Sequence, residues 1–146
     1  MESFSTLTVG DAVVRTIVVS ELHFEDAAKL FADDHPIHSS DEYARERGHR
    51  GRTLPGSMIA GIASSSLAAM LADCGLALLE LRTRFRAPAY LGDELTSRCV
   101  VVRKEPKPHR GGGLVFFEIT LTNADGTVVA IVEGVDLVAD EPTGDV

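Results

Sequence analysis

The sequence predicts an α+β domain, on three observations. A helix-length stretch from Gly56 to about Asp73 is built of apolar and small residues on all sides. Four β-like segments follow it with short connections. One further strand and two short polar-faced helices precede it. A helix that is apolar all round is usually buried on most sides. Successive strands joined by short loops pair antiparallel.

The elements follow in order. Residues 12–19, AVVRTIVV, are rich in β-branched residues and read as a strand. Phe24, Ala27, Ala28 and Phe31 then recur at i, i+3, i+4 and i+7, with Glu25, Asp26 and Lys29 on the other side. That spacing predicts a short amphipathic helix burying the stripe. DDHPIHSSDEY reads as a loop around Pro36, after which Asp41 is expected to cap a brief charged helix, EYARER, ended by Gly48. A polar loop, GHRGRTLPG, leads to Pro55, which suits a helix start because its missing N–H has no partner there anyway. The Ala, Gly and Ser content of the next helix allows a curved sheet to approach it closely, a hotdog-type arrangement, and periodicity alone leaves another helix-on-sheet fold open.

In LLELRTRFR, residues 78–86, Leu79, Leu81, Thr83 and Phe85 alternate with Glu80, Arg82, Arg84 and Arg86. Period two predicts a strand with one solvated face. ELTSRCVVVRK follows the turn at Gly92-Asp93, and Pro106, Pro108 and Gly111-Gly112-Gly113 make a longer connection. LVFFEITLT (114–122) and TVVAIVEGVDLVA (127–139) flank Asn123-Ala-Asp-Gly126, a hairpin signal. The tail EPTGDV is expected to fray.

The chain of 146 residues has 14 Lys+Arg against 22 Asp+Glu, a net charge of −8, and is 45% apolar. This fits a single domain spanning 1–146 with its core at about 10–139, and it is too apolar for a disordered chain. A chain of this size buries roughly two-thirds of its unfolded surface and needs no metal or disulfide to fold. The acidic balance argues against a nucleic-acid binder, which usually shows a basic footprint. Cys74 and Cys99 read as ordinary buried thiols of a cytoplasmic protein. The start lacks a basic region followed by an apolar core, so no secretory signal is expected. The longest apolar stretch is interrupted at Ser64, Ser65, Ser66 and Asp73. It falls short of the ~20 residues that a membrane span needs.

Two features carry chemistry. Phe31-Ala-Asp-Asp-His-Pro-Ile-His38 puts two carboxylates and two imidazoles into one Pro-constrained turn. Asp33 and His38 converge if the chain turns at Pro36. A neutral imidazole takes a proton from water near pH 7, and a carboxylate orients it or shares the transfer. A polar loop whose Asp and His cap helix ends is the plainer alternative. The second feature is Leu54-Pro55-Gly56-Ser57-Met58, where a glycine opens the buried helix. Backbone N–H groups and the helix dipole favour negative charge there. Such a site steadies a developing thioester enolate, while a helix start without a ligand is again the plainer alternative.

These residues resemble a known family. F-A-D-D-H-P-I-H is similar to the hydratase-2 motif of MaoC-like, (R)-specific enoyl-CoA hydratases, usually Asp-x-Asn-Pro-Ile/Leu-His. The resemblance continues through Asp41-Glu-Tyr-Ala44, Pro55-Gly56-Ser-Met58, Arg84-Phe-Arg-Ala-Pro88, Gly92-Asp93 and Glu133-Gly134, over roughly residues 10–139. It implies a hotdog fold and reversible hydration of a trans-2-enoyl thioester to an (R)-3-hydroxyacyl thioester. Asp33 and His38 match the catalytic dyad, and Gly56 matches the glycine whose N–H binds the thioester oxygen. His35 stands where the family usually has Asn, and with Ser57, Arg84 and Arg86 it is a candidate for substrate binding. The resemblance further implies a CoA-thioester substrate, a homodimer or higher homo-oligomer with sites near the interface, and no cofactor. No metal, nucleic-acid or membrane partner is expected.

An acidic protein that binds polyanionic CoA needs a local cationic patch, and Arg84, Arg86, Arg103, Lys104, Lys107 and Arg110 are its candidates. Three rival readings stay open: a hotdog acyl-CoA thioesterase, a non-catalytic acyl-CoA-binding protein, and a metal site built from Asp33, His35, His38 and His49.

Overall fold

Alternation along the last three strands divides the molecule into two faces. In this computed structural model, which describes residues 2–141, Leu95, Ser97, Cys99 and Val101 are buried, as are Val115, Phe117, Ile119 and Leu121. Ala130, Val132 and Val138 continue the same face, while most residues between these are partly or fully exposed. The elements run β1 (Ala12–Val18), α1 (Glu21–Phe31), α2 (Pro36–Ser39), α3 (Asp41–Glu46), α4 (Gly56–Met70) and β2 (Gly75–Phe85). β3 (Glu94–Lys107), a 3-10 turn (Pro108–Arg110), β4 (Gly112–Thr122) and β5 (Val128–Ala139) complete the order. The five strands form one sheet ordered β1-β3-β4-β5-β2, with every neighbouring pair antiparallel. This is the α+β arrangement that the sequence predicts. No helix among the described residues is long and apolar enough to cross a membrane. The expectation about the tail falls mainly on residues 142–146, which lie outside the described residues.

α4 lays Ile59, Ile62, Ala63, Ser66, Leu67 and Met70 against the buried face of the sheet. Each fully buried aliphatic side chain of this kind contributes about 1.5–3 kcal/mol. A polar pin fixes the register of helix on sheet. Ser66 Oγ lies 2.6 Å from Ser97 Oγ, and the Ser97 hydroxyl donates to the Ala63 carbonyl at 2.5 Å. Close approach of β5 to β2 requires glycine at 134, where a Cβ would come 2.5 Å from the Glu80 carbonyl oxygen and from the Phe117 ring.

Four local expectations are corrected. α4 is buried along one face, with Ser57, Gly61 and Ala68 exposed on the other. α1 buries Phe24 and Ala27, but Ala28 and Phe31 face solvent because no element packs over the end of that helix. The cap of α3 is Ser40, whose Oγ accepts from Tyr43 N–H at 3.2 Å; Asp41 is the first helical residue. β2 begins earlier than predicted, lies at the sheet edge beyond the strands that α4 packs on, and is exposed on both faces rather than one. Leu76, Leu78, Leu79 and Leu81 all stand open in this chain.

Candidate active site

The D-D-H-P-I-H turn contains a helix that its sequence conceals. Pro36 occupies the first position of α2, where a residue without N–H costs nothing. His35 is the N-cap, and its Nδ1 accepts from Ile37 N–H at 3.2 Å. One turn of helix brings His38 back over Asp33, with His38 Nε2 3.6 Å from Asp33 Oδ2. The other ring nitrogen, Nδ1, lies 2.7 Å from the Thr53 carbonyl oxygen. A carbonyl only accepts, so Nδ1 carries a proton and a neutral His38 presents a bare Nε2 toward Asp33.

Thr53 and Leu54 form the junction of the site. Thr53 N–H donates to the Ile37 carbonyl at 3.0 Å, and Leu54 N–H donates to the Ala89 carbonyl at 2.8 Å. An isolated antiparallel bridge joins Thr53 to Tyr90. This extended segment therefore ties α2 to the chain that follows β2. The preceding loop is pinned as well. Arg52 N–H donates to Asp41 Oδ1 at 2.9 Å, and its guanidinium reaches Glu21 Oε1 at 2.7 Å.

Gly56, first residue of α4, follows two positions later, and no side chain caps that helix start. A Cβ at Gly56 would come 3.0 Å from the Phe85 ring, so the glycine is what admits that ring against the helix N-terminus. A cavity of about 400 Å³ results, lined by His38, His49, Thr53, Gly56 and Arg86 among apolar neighbours that include Ile59 and Phe85. The unpaired N-terminal N–H groups of a helix favour a developing negative charge. Two acceptors 3.6 Å apart are too far for a direct hydrogen bond and near enough to hold one donor molecule between them.

The structure lines one cavity with His38, Gly56 and Arg86, sets Asp33 3.6 Å from His38, and disperses the other candidates. Arg84 points to the sheet face away from α4, where it pairs with Glu133 Oε2 at 3.0 Å. Arg103 pairs with Glu105 at 3.3 Å and covers the Phe116 ring, and Lys107 also binds Glu105. The Lys104 ammonium donates to the Phe4 and Leu7 carbonyls. Arg86 has no ion pair among the described residues and alone of the cationic candidates lines this cavity. Ser57 is exposed on the first turn of α4.

One contributor escaped the sequence reading, and another entered it only as a candidate metal ligand. The Thr53 contact is made by a backbone carbonyl, which leaves no side-chain signal. His49 lines the cavity with its Nδ1 3.4 Å from the Tyr90 hydroxyl. Tyr90 is fixed in turn by its N–H to Asp93 Oδ2 at 2.9 Å and by the Arg50 guanidinium 4.2 Å above its ring.

Known proteins are similar to this chain in sequence and fold. The chain is 26% identical over 126 residues to the (R)-specific enoyl-CoA hydratase of Rhodospirillum rubrum, covering 86% of this chain and 85% of the relative. It is 25% identical over 150 residues to the mitochondrial 3-hydroxyacyl-[acyl-carrier-protein] dehydratase of Arabidopsis thaliana, covering 97% and 87%. The unliganded R-hydratase PhaJ1 of Pseudomonas aeruginosa superposes with a TM-score of 0.84 at 25% identity, covering 96% of this chain and 87% of the other. The fold is thus the hotdog fold of the R-hydratases. The family model described as "MaoC like domain" matches residues 6–114, a span that takes in the D-D-H-P-I-H turn, the start of α4 and the Arg84–Pro88 segment. On that match the chain belongs to the MaoC-like domain family of hydratases and dehydratases.

Proposed function

We propose that this chain is a hydro-lyase that reversibly hydrates a trans-2-enoyl-CoA, or a related enoyl thioester, to the (R)-3-hydroxyacyl thioester. The observation that carries the reading is the placement of His38 Nε2 3.6 Å from Asp33 Oδ2 beside the N-terminus of α4. Asp33 and His38 hold one water between them. One of the two takes its proton as the oxygen attacks C3, and a proton is delivered to C2. The Gly56 N–H steadies the enolate-like oxygen; losing one such donor typically costs 10²–10³ in rate. Arg86 meets the phosphate-bearing end of the thioester, where a guanidinium suits phosphate oxygens.

The working unit is a homodimer. The support is the unpaired edge of β2 with Leu76, Leu78, Leu79, Leu81 and Phe85 exposed, since an apolar edge strand invites pairing. Cys74 and Cys99 are both free thiols, which supports a cytoplasmic setting.

The test is a panel of trans-2-enoyl-CoAs followed by loss of enoyl absorbance, with chiral analysis of the product. Formation of the (R)-3-hydroxyacyl-CoA is expected. Release of free thiol from saturated acyl-CoA without hydration would replace this reading with a thioesterase, and tight binding without turnover would replace it with a binding protein.

A further inference from the structure

We infer that His35 is a positioning residue for the Asp33–His38 pair, and that its charge state decides whether the turn between them holds. This rests on the hydration proposed for the site and goes beyond it. His35 is exposed, and its two polar links are both local. Its Nδ1 accepts from Ile37 N–H at 3.2 Å, and its carbonyl accepts from His38 N–H at 2.9 Å. Both links hold α2, the four-residue helix that carries His38. The other backbone bond of that turn is Ser40 N–H to the Pro36 carbonyl at 2.9 Å. So short a helix has almost no ladder of its own, and a side-chain cap is a large part of what fixes it.

The chemistry of the cap distinguishes His35 from Asn, the residue common at this place in the motif. An Asn carbonyl accepts at every pH. An imidazole accepts only through a bare nitrogen, and a protonated ring has none. Histidine is also the side chain whose charge ordinarily changes between about pH 5 and 8. The observed geometry belongs to a neutral His35 with its proton on Nε2. Protonation removes the acceptor from Ile37 N–H and places a cation beside a second imidazole, since the His35 and His38 ring centroids are 6.2 Å apart. The other groups around His35 are the Asp33 and Asp34 carboxyls that precede it in the chain and Tyr43 of α3, whose ring centroid is 5.8 Å away. The Arg47 guanidinium sits 3.3 Å from the Tyr43 ring centroid. One protonation thus loosens the turn that aims His38 at Asp33.

The experiment compares wild type with His35→Asn and His35→Ala. A cap deletion typically costs about 1 kcal/mol. His35→Ala should therefore lose about fivefold in kcat with KM within about twofold, and His35→Asn should restore the rate above pH 7. On the acid side, log(kcat/KM) of wild type should show an additional loss of about fivefold that His35→Asn lacks. Independently of turnover, the Ile37 amide and the His38 ring resonances should each show an inflection at the His35 titration in wild type, absent from His35→Asn. Superimposable acid limbs of log(kcat/KM) in wild type and His35→Asn, or an Ile37 amide blind to His35, overturn the inference. If no enoyl thioester is hydrated, the hydration reading fails, and the resonances alone decide whether His35 governs His38.

Discussion

His38 Nδ1 is committed to the Thr53 carbonyl oxygen at 2.7 Å, and that single bond selects the tautomer of the ring. Because the proton is on Nδ1, Nε2 is the atom that takes a proton, and it faces Asp33. Positioned general acid–base groups typically contribute 10²–10⁴ in rate. Asp33→Asn and His38→Ala should each lower kcat by at least about a hundredfold, with the fold retained by circular dichroism. Because two groups sharing one water act as a unit, the double variant should be little worse than the poorer single. Full activity in both single variants would show that the pair is not the catalytic one.

Gly56 and Phe85 face one another at the same site. A Cβ at position 56 would meet the Phe85 ring at 3.0 Å, but Phe85 is half-exposed and free to turn away. Gly56→Ala should therefore fold normally and act on substrate entry. Crowding at its low end costs about 1 kcal/mol, which is about fivefold in an equilibrium. KM should rise by about that factor with kcat less affected, and Phe85→Ala in the same chain should reverse the rise. Steady-state kinetics on the four-member cycle reads this directly; additivity of the two changes would sink it.

What the sequence made legible, and what it did not, follows from the range of the forces. Val115, Phe117, Ile119 and Leu121 alternate because one face of β4 lies on the core, and the alternation is visible residue by residue. The proximity of Asp33 and His38 was legible because they lie five positions apart and Pro36 restricts the path. α2 was not legible, because a single helical turn has no period to display and its cap is a histidine. The edge position of β2 was not legible either. Leu76, Leu78, Leu79 and Leu81 look like core residues, and only the order β1-β3-β4-β5-β2 leaves them open. The dispersal of the basic residues has the same origin. Strand alternation sends Arg84 to the opposite face of the sheet from Phe85, while Arg86, just beyond the strand end, reaches the cavity.

The two cysteines should be inert in the folded protein. Both are fully buried, and burial pushes the Cys74 thiol up to about 11 and the Cys99 thiol up to about 12. The thiolate is the reactive form, so at pH 8 native protein should take up less than one equivalent of a thiol-specific reagent over hours. Two equivalents should react promptly in denaturant. Prompt labelling of Cys99 without denaturant would contradict its place under the β3–α4 contact.

Asp136 sets a pH dependence of stability at the far end of α4 from the active site. It lies on the core face of β5 at 6% exposure, and its Oδ1 has no hydrogen-bond partner among the described residues. Burial raises its carboxyl above the usual carboxylate range, partly offset by the Ala77 N–H that its side chain accepts. A carboxyl raised in the folded state binds its proton more tightly there than in the unfolded chain. Its contribution is therefore complete below the unfolded value and is lost as pH rises through the folded one. At pH 7 the folded chain bears the cost of burying an ionised carboxylate, which a neutral amide of the same shape does not. Asp136→Asn keeps an acceptor for Ala77 N–H and removes the ionisation. It should raise Tm at pH 7 by roughly 2–4 °C per kcal/mol recovered, and the gain should shrink as pH is lowered toward 4. Melting curves of both proteins across pH 4–8 test this. A Tm difference that is constant across that range would mean that Asp136 does not titrate on folding.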